Sequence, residues 1–258
     1  MFRNNKICLP AALQKKTVYW YHEMLSHPGE TQTDHTLRQY FDWKGLCTTV
    51  HDVCKKCPTC QKTKKTNHKY GKLPPKQAET NPWDTLCVDL IGPYEIPRKV
   101  KKNLKLWCLT MIDPATGWFE MAQIPNKTAA EIVDITKKTW FTRYPLPHQI
   151  VFDHITKFMA EFSKMCQNDY GLKRKPITTR NPQYNAIIKR IHQIIGNIIR
   201  TFDVSNIVNN NTWSGILDAT MFVLRATYHT TLQASPMQLV FGRDAILNIK
   251  HVADWEHI

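Results

Sequence analysis

Two histidines and two cysteines stand out for their types and their spacing. His22 and His27 are separated by four residues, Cys57 and Cys60 by two, and 29 residues lie between the pairs. Imidazole nitrogen and thiolate sulfur both suit tetrahedral Zn²⁺, and such an ion closes a fold too small to bury much core. The pattern predicts a structural zinc site. Cys54 also forms a Cys-x-x-Cys pair with Cys57, so spacing alone leaves the thiolate pair open. Cys60 is followed by Gln61-Lys62, where a polar stretch begins, which favours Cys57 with Cys60. His35 and His51 are spare imidazoles.

Charge supplies the second chemistry. The chain has 258 residues, with 35 Lys plus Arg against 21 Asp plus Glu, a formal net charge of +14. Between residues 170 and 202 stand Lys173, Arg174, Lys175, Arg180, Lys189, Arg190 and Arg200 with no acid among them. Further basic runs include Lys62, Lys64 and Lys65, and Arg98, Lys99, Lys101, Lys102 and Lys105. Such runs neutralise phosphates and release counterions without reading base sequence, so a nucleic-acid partner is expected.

Composition excludes other classes. At 42% apolar residues the chain can build a core, which rules out a wholly disordered protein. No apolar run approaches the ~20 residues of a membrane helix, and residues 1–16 lack the apolar stretch of a signal peptide. No membrane partner is expected. Half of the eight cysteines crowd between Cys47 and Cys60, and most of the others sit singly in apolar stretches. That pattern fits an intracellular protein with one metal cluster and a few buried thiols.

These groups need elements to hold them. Residues 1–61 carry the His/Cys cluster, residues 62–80 read as a basic linker containing Pro74-Pro75, and residues 81–258 alternate strand-like and helix-like runs. Leu86 to Ile91, Leu104 to Ile112 and Gly117 to Ile124 read as an antiparallel meander. A helix is expected over Thr128 to Tyr144, a strand over Gln149 to Asp153, and a helix from Lys157 to Tyr170 closed by Gly171. A fifth strand, Lys173 to Thr179, precedes helices over Asn185 to Phe202 and Thr212 to Leu232. The order predicts an α/β domain with a mixed sheet. Trp43, Trp83, Trp107 and Trp118 read as core residues.

The motifs also resemble a known family. His22-x4-His27, Gly29, Thr31, Thr33, Leu37-Arg38-Gln39-Tyr40-Phe41-x-Trp43-x-Gly45 and Cys57-x-x-Cys60-Gln61-x-x-Lys64 resemble the N-terminal zinc domain of retrovirus-like integrases, most closely those of Ty3/gypsy-type retrotransposons. Family spacing favours Cys57 and Cys60 over Cys54. Pro82-Trp83-Asp84-x-Leu86-x-Val88-Asp89, Ile150-Val151-Phe152-Asp153 and Asn181-Pro182-Gln183-x-Asn185-Ala186-x-x-Lys189-Arg190-x-His192 resemble the three catalytic segments of the integrase core. Ser235-Pro236-x-x-Leu239-Val240-x-Gly242-Arg243 resembles the stretch that closes it.

The resemblance implies a ribonuclease H-like core with a mixed five-stranded sheet, preceded by a small helical zinc domain. It implies 3′-processing and strand transfer on double-stranded DNA, self-association into a homo-oligomer, and a nuclear location. Its catalytic metals would be Mg²⁺ or Mn²⁺ on Asp89, Asp153 and a third acid. Here the third position is Lys189, and Ile155, Lys157 and Tyr184 depart from the family pattern nearby. The expectation is therefore a nucleic-acid-binding integrase-like protein with impaired catalysis. The competing expectations are an active metal-dependent strand-transferase and a non-enzymatic zinc, DNA or protein interaction module.

Overall fold

A computed structural model of the chain describes residues 2–3, 6–63, 81–96, 104–125, 128–152, 158–176, 182–201 and 210–250. The chain forms two compact units. The first gathers Met1–Tyr70, Asn197–Phe202 and Phe222–Ile258, and the second Gly71–Gly196 and Asp203–Met221. This grouping cuts across the expected span 81–258. Residues 64–80 of the expected linker lie outside the described residues.

The first unit starts with a short antiparallel pair, β1 (Phe2–Arg3) and β2 (Lys6–Ile7). Four helices follow: α1 (Ala11–Met24), α2 (Glu30–Arg38), α3 (Leu46–Lys56) and α4 (Pro58–Thr63). Helix α1 stops because Ser26 and His27 take left-handed φ values of 51° and 61°, which cannot continue a right-handed helix. Gly45, at φ 90°, opens α3 with a conformation that only glycine adopts freely. Val18, Tyr21, Leu37, Trp43, Leu46, Val50 and Val53 form the core of this unit. Ala226 is buried in the same cluster, with Phe222, Ile246 and Leu247 packed against it. Those apolar side chains explain why the chain from Phe222 onward groups with the N-terminal helices.

The second unit is built on a sheet. Its strands are β3 (Thr85–Ile96), β4 (Leu104–Ile112), β5 (Phe119–Ile124), β6 (Gln149–Phe152) and β7 (Lys173–Pro176). The order across the sheet is β5-β4-β3-β6-β7. Strands β3, β4 and β5 form the antiparallel meander, and β3, β6 and β7 run parallel. This is the mixed arrangement expected of a ribonuclease H-like core. Gly92 sits at the bulge between Ile91 and Tyr94, where an added Cβ would lie 2.7 Å from the Leu106 carbonyl. Helix α5 (Ala129–Thr136) runs on as a π-helical turn to Phe141, before Pro145. Helices α6 (Phe158–Asn168), α7 (Pro182–Thr201) and α8 (Asn210–Ala226) are the other long helices among the described residues, the last residues of α7 and α8 grouping with the first unit.

The helix expected to reach Leu232 ends at Ala226 instead. His229 and Ala234 form an antiparallel bridge, and the Leu232 amide donates to His229 Nδ1 at 3.3 Å. These contacts fold the chain into a turn. A short helix not foreseen from the sequence, α9 (Pro236–Phe241), then starts from a Ser235–Gln238 capping box. Trp43 and Trp118 are buried as expected, each 3% exposed.

Candidate functional site

The first unit brings His22, His27, Cys57 and Cys60 together, with their ligand atoms all within 4.8 Å of one another. His22 sits in the last turn of α1, and the left-handed pair Ser26-His27 turns the chain back so that His27 faces it. Their rings cross at 83° with centroids 4.9 Å apart. Cys57 caps α3 in an extended conformation, and Cys60 follows on α4. His22 Nε2 lies 3.2 Å from Cys60 Sγ, and His27 Nδ1 lies 3.3 Å from Cys57 Sγ. Tetrahedral Zn²⁺ with bonds of about 2.0–2.1 Å to nitrogen and about 2.3 Å to sulfur separates mixed donors by roughly 3.5 Å. The cluster therefore fits zinc in both donor type and spacing. Cys54 lies outside the four, with its Sγ on the far side of the His22 ring, 3.6 Å from Nδ1. The spare imidazoles are engaged elsewhere. His35 stacks on Tyr228 at 5.1 Å and 8°, and His51 lies 3.0 Å from Glu30.

In the second unit Asp89 lies on β3 opposite Thr110 of β4. Asp89 Oδ1 accepts from the Leu90 amide at 2.8 Å, and Thr110 Oγ1 donates to the Asp89 carbonyl at 3.0 Å. His192 of α7 reaches the same place. Its Nε2 lies 3.1 Å from Thr110 Oγ1 and its Nδ1 lies 3.7 Å from Asp89 Oδ2. Burial pushes the His192 pKa down to about 4, so the ring is neutral at pH 7 and its contact with Asp89 is not an ion pair. Lys189 is borne on α7 one turn before His192. The helix turn that carries the third family position is thus anchored beside Asp89.

Asp153 lies outside the described residues, as do Ile155 and Lys157. Its neighbour Phe152 pairs with Val88, the residue before Asp89. Of the expected DNA-binding residues, Lys173 opens β7 and is exposed, and Arg174 and Lys175 follow in the same strand. Arg190 lies on α7. Lys64, Lys65 and Arg180 lie outside the described residues. Thr110 carried no signal in the sequence, because a lone threonine in a strand has no distinctive spacing. His192 was part of a motif, but only the fold shows that it contacts Thr110 and Asp89.

Known proteins agree with this picture. Residues 9–66 match the integrase zinc-binding domain model. The Gypsy retrotransposon integrase-like protein 1 of Homo sapiens is 22% identical over 245 residues, covering 94% of this chain and 45% of that protein. An uncharacterized protein of Caenorhabditis elegans is 24% identical over 242 residues, covering 93% of this chain and 18% of that protein. The Pro-Pol polyprotein of Simian foamy virus type 3 is 22% identical over 243 residues, covering 94% and 20%. The chain thus spans less than half the length of these relatives. Among solved structures, the fold matches a chain of the simian T-cell lymphotropic virus intasome, determined in complex with PP2A regulatory subunit B56 gamma. The TM-score is 0.56 at 14% identity, over 92% of this chain and 78% of that one. Zinc motif, strand order and relatives converge on one likeness: residues 9–66 match the integrase zinc-binding domain model, and most of the chain is similar to integrase-like proteins of the gypsy retrotransposon type.

Proposed function

We propose that this chain is a zinc-dependent, DNA-binding integrase-like protein that has lost strand-transfer catalysis. The observation that carries the reading is Lys189 on the α7 turn that His192 anchors beside Asp89. Family chemistry uses two divalent ions about 3.5–4 Å apart to activate the attacking oxygen and stabilise the leaving one. Hard Mg²⁺ needs oxygen donors. A charged ammonium has no lone pair to offer. It also repels a divalent cation by several kcal/mol at about 4 Å, even with an effective dielectric near 20. No Asp or Glu occurs between Asp169 and Asp203, so a shift of one helix turn brings no replacement. With Lys189 at the third position, the three-acid donor set of a two-metal centre is incomplete.

What remains is binding. The basic residues of β7, α7 and the 62–80 segment would hold double-stranded DNA through its phosphates. Zinc would hold the N-terminal domain folded, copies of the chain would associate, and DNA would place the protein in the nucleus. The division into a zinc domain (1–61), a linker (62–80) and a core-like domain (81–258) belongs to this same reading. The deciding experiment is a strand-transfer assay on element-end DNA with Mg²⁺ or Mn²⁺. No joined product is expected from the unmodified chain. Product that forms and then disappears in Asp89→Asn overturns the loss of catalysis.

A further inference from the structure

The zinc cluster uses one nitrogen of His22 and leaves the other facing the protein. His22 is 0% exposed. While Nε2 faces Cys60, Nδ1 lies 3.6 Å from Cys54 Sγ. Cys54 Sγ lies in turn 3.9 Å from Thr33 Oγ1, and Thr33 Oγ1 donates to the Gly29 carbonyl at 3.0 Å. Thr33 is 1% exposed. The residues therefore form a chain of contacts that runs from the metal ligand to the backbone.

The direction of that chain follows from its last member. A carbonyl only accepts, so Thr33 commits its single proton to Gly29 and its oxygen is left to accept. The Cys54 thiol can then donate to Thr33, and its sulfur can accept from His22 Nδ1–H. A neutral imidazole carries one N–H, so the proton on Nδ1 leaves the Nε2 lone pair free to bind metal. Histidine ligands of zinc usually hand their second N–H to a carboxylate, a carbonyl or a water. Here a thiol stands in that place.

We propose that Cys54 is a positioning residue of the zinc site: a thiol that does not bind the metal but fixes the ring orientation and tautomer of His22. The proposal rests on zinc occupying the His22, His27, Cys57 and Cys60 cluster. It also accounts for the third cysteine of the Cys54-x-x-Cys57-x-x-Cys60 run, which the ligand set does not use.

The test uses the full chain and its Cys54→Ala, Cys54→Ser and Thr33→Val variants. Chelator competition should show zinc binding weakened about 10–100-fold in Cys54→Ala, the usual cost of losing an outer partner. Cys54→Ser keeps a donor and an acceptor and should recover most of the affinity, while Thr33→Val should lose part of it. Cobalt-loaded Cys54→Ala should keep the thiolate charge-transfer intensity of the parent, because both ligand sulfurs remain. Long-range proton–nitrogen NMR of the zinc-loaded parent should show the proton of His22 on Nδ1. Equal zinc affinity in Cys54→Ala and parent overturns the proposal, as does a charge-transfer band that drops with Cys54→Ala or a His22 proton on Nε2. If Cys54→Ala loses its helical circular dichroism, Cys54→Ser and Thr33→Val carry the same readouts. A parent chain that takes up neither Zn²⁺ nor Co²⁺ overturns the zinc site itself.

Discussion

Gln39 and Gln238 form a reciprocal amide pair across 199 residues of sequence: Gln39 Nε2 donates to Gln238 Oε1 at 3.1 Å, and Gln238 Nε2 donates to Gln39 Oε1 at 2.9 Å. Gln238 is 1% exposed and also contacts Tyr40 Oη at 2.9 Å and Asp244 Oδ2 at 3.2 Å. Its Oε1 accepts from the Ser235 amide at 2.8 Å, which closes the capping box of α9. Gln238→Ala strips several partners from groups that stay buried. The expected cost is about 2–3 kcal/mol, because a buried polar group left unsatisfied forfeits its whole desolvation penalty. A urea midpoint unchanged from the parent would show that this network does not stabilise the unit.

Zinc removal should reach beyond the N-terminal helices. Ala226 is buried in the same core as Val18 and Val50, and Ile246 and Leu247 pack against it. Metal binding in a small domain is folding free energy, so stripping the ion should loosen α1 to α4 and the 222–250 stretch together. Hydrogen exchange with and without a chelator measures this. Slow exchange retained at residues 236–247 while α1 and α3 lose theirs contradicts the shared unit.

The limits of sequence reading show in the same residues. The His22, His27, Cys57 and Cys60 cluster was legible because zinc chemistry imposes residue type and short spacing, and both survive in the linear chain. The meander and the β–α alternation were legible because burial on a sheet imposes local periodicity. The pairing of Gln39 with Gln238 left no such trace, since no period relates residues so far apart. Neither did the end of α8 at Ala226, where a bridge between His229 and Ala234 overrode a pattern that still looked helical. Thr110 was invisible for a related reason: its role depends on which strand lies opposite β3.

Asp113 offers a test of the second unit. It is 0% exposed and accepts from the Trp83 amide at 3.3 Å, the Ala115 amide at 3.2 Å, the Thr116 amide at 3.3 Å and Thr116 Oγ1 at 2.7 Å. Asp113→Ala leaves these donors without their acceptor, at an expected cost of about 2–4 kcal/mol. Burial raises the Asp113 pKa above its ordinary 3.8, against the pull of those donors. In the window above 3.8 the folded chain keeps a proton that the unfolded chain has released, so this carboxyl loses stability as pH rises through its folded pKa. The gap between parent and Asp113→Ala should therefore be wider near pH 4 than at pH 7. Denaturant titrations at the two pH values check it, and a gap that widens toward pH 7 is the contrary result.

DNA affinity should depend steeply on salt and weakly on sequence. Each phosphate neutralised contributes roughly −0.9 to the log–log slope. Lys173 is exposed at the start of β7, and Lys173→Ala should shrink the slope by about one such contact. Fluorescence anisotropy on unrelated duplexes measures this. Affinity that is insensitive to salt, or a Lys173→Ala effect confined to one duplex sequence, contradicts a phosphate contact.

Restoring the third acid should restore metal affinity only while α7 keeps its anchor. Lys189→Glu replaces an ammonium with a carboxylate at the third family position, so Mn²⁺ binding should appear where the parent shows little. His192 sets where that turn lies, through Thr110 Oγ1 at 3.1 Å. Its own nitrogen faces Asp89 at 3.7 Å. Adding His192→Ala should cut the Mn²⁺ affinity gained by Lys189→Glu at least about tenfold, the order of loss seen when an outer partner of a metal site is removed. Thr110→Val in the same background should act in the same direction, since it removes the hydroxyl that His192 meets. Activity should return only in part, because Ile155, Lys157 and Tyr184 still depart from the family pattern. Manganese electron paramagnetic resonance on Lys189→Glu and the two double variants reads the effect directly. Equal Mn²⁺ affinity in all three would show that the His192–Thr110 contact does not position the site.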